Sequence, residues 1–171
     1  MSEARVVSYR LATPEEEHTF FRRLFDITRR PEFEQAGLSG EALDTMIESQ
    51  YHARTTHYKE AYPEAEYRMI FSDADLAGGM IVEERDGDLH LIDITLLDER
   101  RGQGIGTRVM SDLIEDAKRG GRGVLLFVEQ FNPAQRLYER LGFVEVELVG
   151  IYRRMVWKDP CTHRTESDKG M

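Results

Sequence analysis

Apolar residues along this chain switch between a two-residue and a three-to-four-residue period, and each switch marks an element. "RVVSYRLA" reads as a first strand. The next stretch, "TPEEEHTFFRRLFDITRR", opens a helix: Thr13 stands at the N-cap, Pro14 in the first turn, and Glu16 completes a capping box. Phe20, Phe21, Leu24 and Phe25 form its apolar side, and a loop containing Pro31 and Gly37 is expected to follow. "SGEALDTMIESQYHARTTHYKEAYP" then supplies a second helix, with Leu43, Ile47 and Tyr51 at four-residue spacing and Pro63 beyond its end.

"AEYRMIFS", "LAGGMIVEER" and "DLHLIDITLL" are separated by "DAD" and "RDGD", so three strands in an antiparallel meander are expected. Ile105, Val109, Leu113, Ile114 and Ala117 mark a helix from about Gly104 that "GGRG" ends. The continuous apolar run "VLLFVE" suits the centre of a sheet. Asn132 and Pro133 start a last helix with Ala134, Leu137, Tyr138 and Leu141 inward, and "FVEVELV" with "IYRRMVW" closes the chain as a hairpin. The predicted order is βααβββαβαββ.

Composition narrows the class. With 171 residues, 40% hydrophobic and 32% charged, one domain over residues 1–159 is expected, with a disordered polar tail over 160–171. The N-terminus has no signal-like apolar stretch and no run is long enough to span a membrane, so a soluble, cytoplasmic protein is expected. A net charge of -9 argues against a general nucleic-acid binder and weakly favours cationic or amine partners. The single cysteine, Cys161, lies in the polar tail and reads as an incidental thiol. His52 and His57 are five apart on a helix, which is not metal-ligand spacing, and no metal is expected.

"RRGQGIGT", Arg100 to Thr107, crowds glycines between an apolar strand and an amphipathic helix. It lacks the Gly-Lys-Ser/Thr of a nucleotide-triphosphate loop, and Thr107 stands where a dinucleotide fingerprint needs its third glycine. Two readings remain for the segment by itself: a loop whose main-chain N–H groups hold a pyrophosphate at the helix N-terminus, or an ordinary strand-to-helix turn.

Together with "NPAQRLYERLGF", this loop resembles the GCN5-related N-acetyltransferase (GNAT) superfamily, whose acetyl-CoA signature is Arg/Gln-x-x-Gly-x-Gly/Ala. Arg101-Gly102-Gln103-Gly104-Ile105-Gly106 fits it at every specified position, and "LYERLGF" fits the later motif. The resemblance covers Arg5 to about Lys158 and, more narrowly, reaches an uncharacterised bacterial subgroup. It departs in two places: Asn132 is one residue closer to Tyr138 than in many members, and Asp98 stands where proline is usual.

The resemblance implies an α+β fold of three α/β layers on a mixed, mostly antiparallel sheet, and an acetyl-CoA-dependent N-acetyltransferase acting on a primary amine of a small molecule or protein. It implies that the strand ending near Leu96 splays from the one ending near Glu129 and that pantetheine lies between them. Main-chain groups of Leu96 and Leu97 would pair with it, Arg101 to Thr107 would hold the pyrophosphate, and Asn132 would touch the cofactor. Tyr138 would protonate the departing thiolate. Many members form homodimers.

For the base that takes the amine's proton, Asp93 is the candidate, since it interrupts the apolar run "LHLIDITLL"; a buried hydrogen-bond network is the equal alternative. Glu83 and Glu129, which end neighbouring strands, are weaker alternatives for the base and read rather as solvated or strand-edge charges. Tyr51, His52, Tyr58 and Tyr152 could line an acceptor pocket, though each alone reads as packing or surface. A non-catalytic acyl-CoA-binding or partner-binding domain is the other functional reading.

Overall fold

The computed structural model describes residues 4–161. They form β1 (Val7–Leu11), α1 (Pro14–Gln35), α2 (Gly40–Ala61), β2 (Glu66–Ser72), β3 (Asp75–Arg85) and β4 (Asp88–Leu96). A short 3-10 turn (Asp98–Arg100) leads to α3 (Ile105–Arg119), β5 (Val124–Glu129), α4 (Ala134–Arg140), β6 (Val144–Val149) and β7 (Tyr152–Trp157). The order is the expected βααβββαβαββ, and the strands make one mixed, mostly antiparallel sheet ordered β1-β2-β3-β4-β5-β7-β6. Of the tail expected to be disordered, residues 162–171 lie outside the described residues.

The chain divides into two compact units: the residues up to Ile81 with Asp93–Gln103, and Val82–Ile92 with the residues from Gly104 on. In the first unit, β1 pairs antiparallel with β2 from Val7↔Ser72 to Leu11↔Arg68. The capping box forms: the Glu16 N–H donates to Thr13 Oγ1 at 3.2 Å, and the Thr13 N–H donates to Glu16 Oε2 at 2.9 Å. Arg10 grips the same carboxylate with two N–H groups and, with the Thr13 N–H, holds its pKa down to about 2.

α1 does not stop before Pro31 but runs through it to Gln35, so the expected loop starts later. Pro31 removes one helical hydrogen bond and strains the preceding turn. Burial wins there: Phe33 and Leu38 pack on the cluster of Phe25, Leu43, Ile47 and Tyr51, and each well-buried apolar side chain contributes about 1.5–3 kcal/mol. Arg30 adds hydrogen bonds to Asp26 and, across to α2, to Asp44. Gly79 lets α1 lie against β3, because a Cβ there would come within 2.8 Å of the Phe21 ring.

In the second unit, Asp86 and Gly87, both at positive φ, make the tight turn into β4. β4 pairs parallel with β5 from Leu89↔Val124 to Leu91↔Leu126. That ladder stops there, although β4 runs on to Leu96 and β5 to Glu129. β7 pairs antiparallel with β5 along its whole length and with β6, which is the edge strand. α3 buries Ile105, Val109, Met110, Leu113, Ile114 and Ala117, the stripe read from the sequence plus one methionine.

Candidate functional site

At the end of β4, the Leu97 N–H donates to the Ala77 carbonyl at 2.8 Å. Main-chain groups alternate sides along a strand, so the Leu96 N–H points to the edge of β4 turned away from β3. Gly78 makes this local geometry feasible: a Cβ there would sit 2.3 Å from the Thr95 carbonyl oxygen and 2.9 Å from Leu96 Cα. Only glycine allows β3 to run this close.

The segment after β4 carries the glycine loop. Gly102 and Gly104 have φ of 69° and 79°, and a Cβ at either would meet nothing within 4 Å. The loop is therefore both left-handed at two points and open on the side where side chains would stand. Gly104 is the N-cap of α3 with no side-chain cap, and the first turn holds no acidic residue. The first helical bond runs from the Arg108 N–H to the Gly104 carbonyl at 3.1 Å, so the N–H groups of Ile105, Gly106 and Thr107 precede the helical ladder. Helix dipole and unpaired amides together favour an anion at this end.

The flanking cations are tied down locally. Arg101 pairs with Asp98 at 3.3 Å and donates to the Leu96 carbonyl at 3.3 Å, while Arg108 pairs with Asp112 at 2.9 Å. Gln103 donates to the Glu99 carbonyl and accepts from Arg5.

Asp93 does not stand alone on its apolar strand. Arg54 of α2 donates from Nη2 to Asp93 Oδ2 at 2.8 Å, with side chains only 22% and 25% exposed. The guanidinium lies between two rings, 5.1 Å from the Phe25 centroid and 5.0 Å from that of Tyr58. Burial opposes the Arg54 charge, but Asp93 and the neighbouring tyrosines outweigh it and raise its pKa. Tyr58 is pushed up to about 12, chiefly by burial, and Tyr51 and Tyr67 are also raised by burial, so these phenols act as donors rather than bases. The Tyr51 hydroxyl donates to the Glu17 carbonyl at 3.0 Å.

Arg54 is the residue that the sequence reading missed. Its signal was present: Leu43, Ile47, Tyr51, Arg54 and Tyr58 fall at steps of four, four, three and four, so the arginine sits on the apolar stripe of α2.

In the second unit, Tyr138 is buried on α4, its ring 5.8 Å from that of Phe143. Asn132 is exposed; its Oδ1 accepts from the Ala134 N–H at 2.9 Å, which starts α4. Glu83 is not a solvated charge: it is 2% exposed, with Arg85 Nε 2.9 Å from its Oε2. The stretch Ala77–Glu83 is buried throughout, so both faces of β3 are covered there. Glu129 is exposed, as are His52 and Tyr152. An open hollow of about 430 Å³ lies along α1, lined by Arg22, Asp26, Arg30 and Asp98 among others, and includes neither Asp93 nor Arg54. Among the described residues, no group of three or more His, Cys, Asp or Glu is placed to hold a metal, and no helix is long and apolar enough to cross a membrane.

Residues 21–143 match the family model of the acetyltransferase (GNAT) family. The fold is similar to that of PaiA N-acetyltransferase from Thermoplasma acidophilum, solved in complex with coenzyme A: TM-score 0.63 at 18% identity, covering 90% of this chain and 99% of that one. It is also similar to Campylobacter jejuni N-acetyltransferase PseH in complex with acetyl coenzyme A, with TM-score 0.57 at 12% identity over 90% and 99% of the two chains. A mutant of spermidine N-acetyltransferase SpeG from Vibrio cholerae gives a TM-score of 0.57 at 16% identity, over 88% and 92%. No curated protein matches the sequence.

Proposed function

Belonging to the acetyltransferase (GNAT) family, the chain is an N-acetyltransferase, and we propose that its loop Arg101–Thr107 holds the pyrophosphate of acetyl-CoA, the acetyl donor. The observation that carries this reading is the loop itself: two glycines at positive φ with open space where a Cβ would stand, leading into an uncapped helix with no carboxylate in its first turn. Two structural neighbours are described as complexes with coenzyme A or acetyl coenzyme A, which supports the same donor.

Transfer is direct. The acceptor ammonium gives up a proton to Asp93, through water or by contact, and the nitrogen lone pair attacks the thioester carbonyl carbon. The Leu96 N–H, turned away from β3, donates to the oxygen that becomes negative in the tetrahedral intermediate. The C–S bond then breaks, the Tyr138 hydroxyl gives its proton to the leaving thiolate, and the second proton on the attacking nitrogen is released as the amide forms, which returns a proton to the Tyr138 phenolate through solvent. Leu97 has its N–H paired with Ala77 and its carbonyl accepting from the Arg100 N–H at 2.9 Å, so only the second lone pair of that carbonyl is left for the pantetheine arm. Asn132 spends its Oδ1 on α4, so its side-chain NH2 is what remains for the cofactor. Cys161 takes no part.

A homodimer is supported by β6, an edge strand exposed along its whole length with Val144, Val146 and Leu148 in the open; light scattering tests it. The single domain over residues 1–159 and a cytoplasmic location belong to the same reading. The experiment for the activity is calorimetric titration with acetyl-CoA beside a free-thiol assay over polyamines, amino acids, aminoglycosides and N-terminal peptides. Amine-dependent thiol release supports transfer, whereas binding without release from any amine supports an acyl-CoA-binding domain instead.

A further inference from the structure

Arg54 carries more than the anchoring of Asp93. Among the described residues its guanidinium has a single protein hydrogen bond, from Nη2 to Asp93. Its Cζ also lies over the Phe25 and Tyr58 rings, contacts that hold the group without using any N–H. The side chain keeps 22% of its surface exposed, and neither Nε nor Nη1 is a buried, unpartnered atom. With one Nη2 N–H on Asp93, the guanidinium keeps its second Nη2 N–H and either Nε or Nη1 on the other edge, and such a two-donor edge is a carboxylate receptor. Its neighbours sharpen this: Tyr58, under the guanidinium, and Tyr67 are phenols raised by burial and so stay protonated, and the acceptor that Arg54 meets is the carboxylate of Asp93.

We propose that the acceptor is a small amine that carries its own carboxylate, an α- or β-amino acid, with the carboxylate on Arg54 and the amine toward Asp93. This rests on the transferase reading above, in which Asp93 faces the acceptor amine. The two charges of an amino acid are one or two carbons apart and run opposite to those of the adjacent arginine–aspartate pair, so a head-to-tail fit satisfies all four. A polyamine gains nothing from Arg54 and meets its positive charge instead. Arg54 is thus a specificity-determining residue on the acceptor side, holding Asp93 through one Nη2 N–H while its remaining donors take the substrate carboxylate.

The test compares each of the twenty amino acids with its own carboxamide, in calorimetric titration of protein saturated with coenzyme A and in acetyl-CoA turnover. The ligand-side change needs no variant and removes the anionic group; because it also makes the ammonium more acidic, acid and amide are compared at a pH where both amines are protonated. At least one amino acid is expected to bind about tenfold or more tighter than its amide, the size of one charge-assisted pair. In Arg54→Met, which keeps an unbranched apolar side chain but loses the charge and its contacts with the Phe25 and Tyr58 rings, that ratio should collapse toward one; Arg54→Lys, a point charge in place of a fork, should recover part of it. Equal binding of acid and amide, or no binding by any of the twenty or by β-alanine tested in the same way, overturns the proposal. Absence of thiol release from every amine, with acids still preferred in binding, overturns the transferase reading and leaves the carboxylate receptor standing.

Discussion

A double-mutant cycle on Arg54→Met and Asp93→Asn measures how much of the fold depends on this pair. At 2.8 Å, with an effective dielectric constant of about 20, the mutual attraction is about 6 kcal/mol, and removing both ions from water takes most of that back. Fully exposed pairs net about 0–1 kcal/mol, and breaking a buried one costs about 3–5 kcal/mol. With side chains 22% and 25% exposed, this pair falls between those limits, so a coupling energy of about 1–2 kcal/mol is expected. Asp93→Asn leaves the stacking on Phe25 and Tyr58 in place. Arg54→Met forfeits it, at about 0.5–1 kcal/mol per ring, so Arg54→Met should destabilise more. Urea unfolding followed by circular dichroism gives the four free energies, provided the slope with urea stays constant across the set. A coupling within about 0.3 kcal/mol of zero, or Asp93→Asn being the costlier change, would mean that the pair and its ring contacts do not stabilise the fold in this way.

Tyr138→Phe should lower kcat by about a hundredfold or more with acetyl-CoA affinity little changed, since only the proton donor is lost; unaltered turnover removes Tyr138 from the mechanism. Thr13→Ala opens the capping box of α1 and should cost about 1 kcal/mol, read as a lower midpoint in thermal unfolding, whereas Thr13→Asn should recover most of it. Tyr58 is held at about 12, above the ordinary tyrosine value, so its contribution is complete below pH 10 and is lost as pH rises from 10 to 12. Tyr58→Phe should flatten the fall in melting temperature across that window and remove one late-titrating phenol from the ultraviolet titration.

Local chemistry was legible in the sequence, and long-range pairing was not. Thr13 and Glu16 specify a helix start because the capping box lies within four residues, and Asp86-Gly87 specifies a tight turn because only positive φ closes it. Asp93 could be singled out because a carboxylate in an apolar strand demands a partner, yet nothing in a strand's own pattern says which residue supplies it. The partner, Arg54, lies 39 positions away on α2 and reads as an ordinary helical charge until Tyr51 and Tyr58 are placed on the same stripe. Pro31 failed as a stop for the same reason, since the burial of Phe33 against α2 outweighs a local rule. Glu83 looked like a strand-edge charge because the sequence does not reveal that both faces of β3 are covered.

The glycine loop is the reverse case. Its spacing excluded two phosphate cradles, and the positive φ values of Gly102 and Gly104 show what those glycines permit. Calorimetric titration of acetyl-CoA into the unmodified protein and into Gly104→Val tests the role of this loop most directly, with thermal unfolding confirming that the variant is folded. Valine puts a branched side chain into the open space at the α3 N-terminus, and the unmodified protein should bind at least about tenfold more tightly. Equal affinity in a folded Gly104→Val would contradict the claim that this loop holds the pyrophosphate.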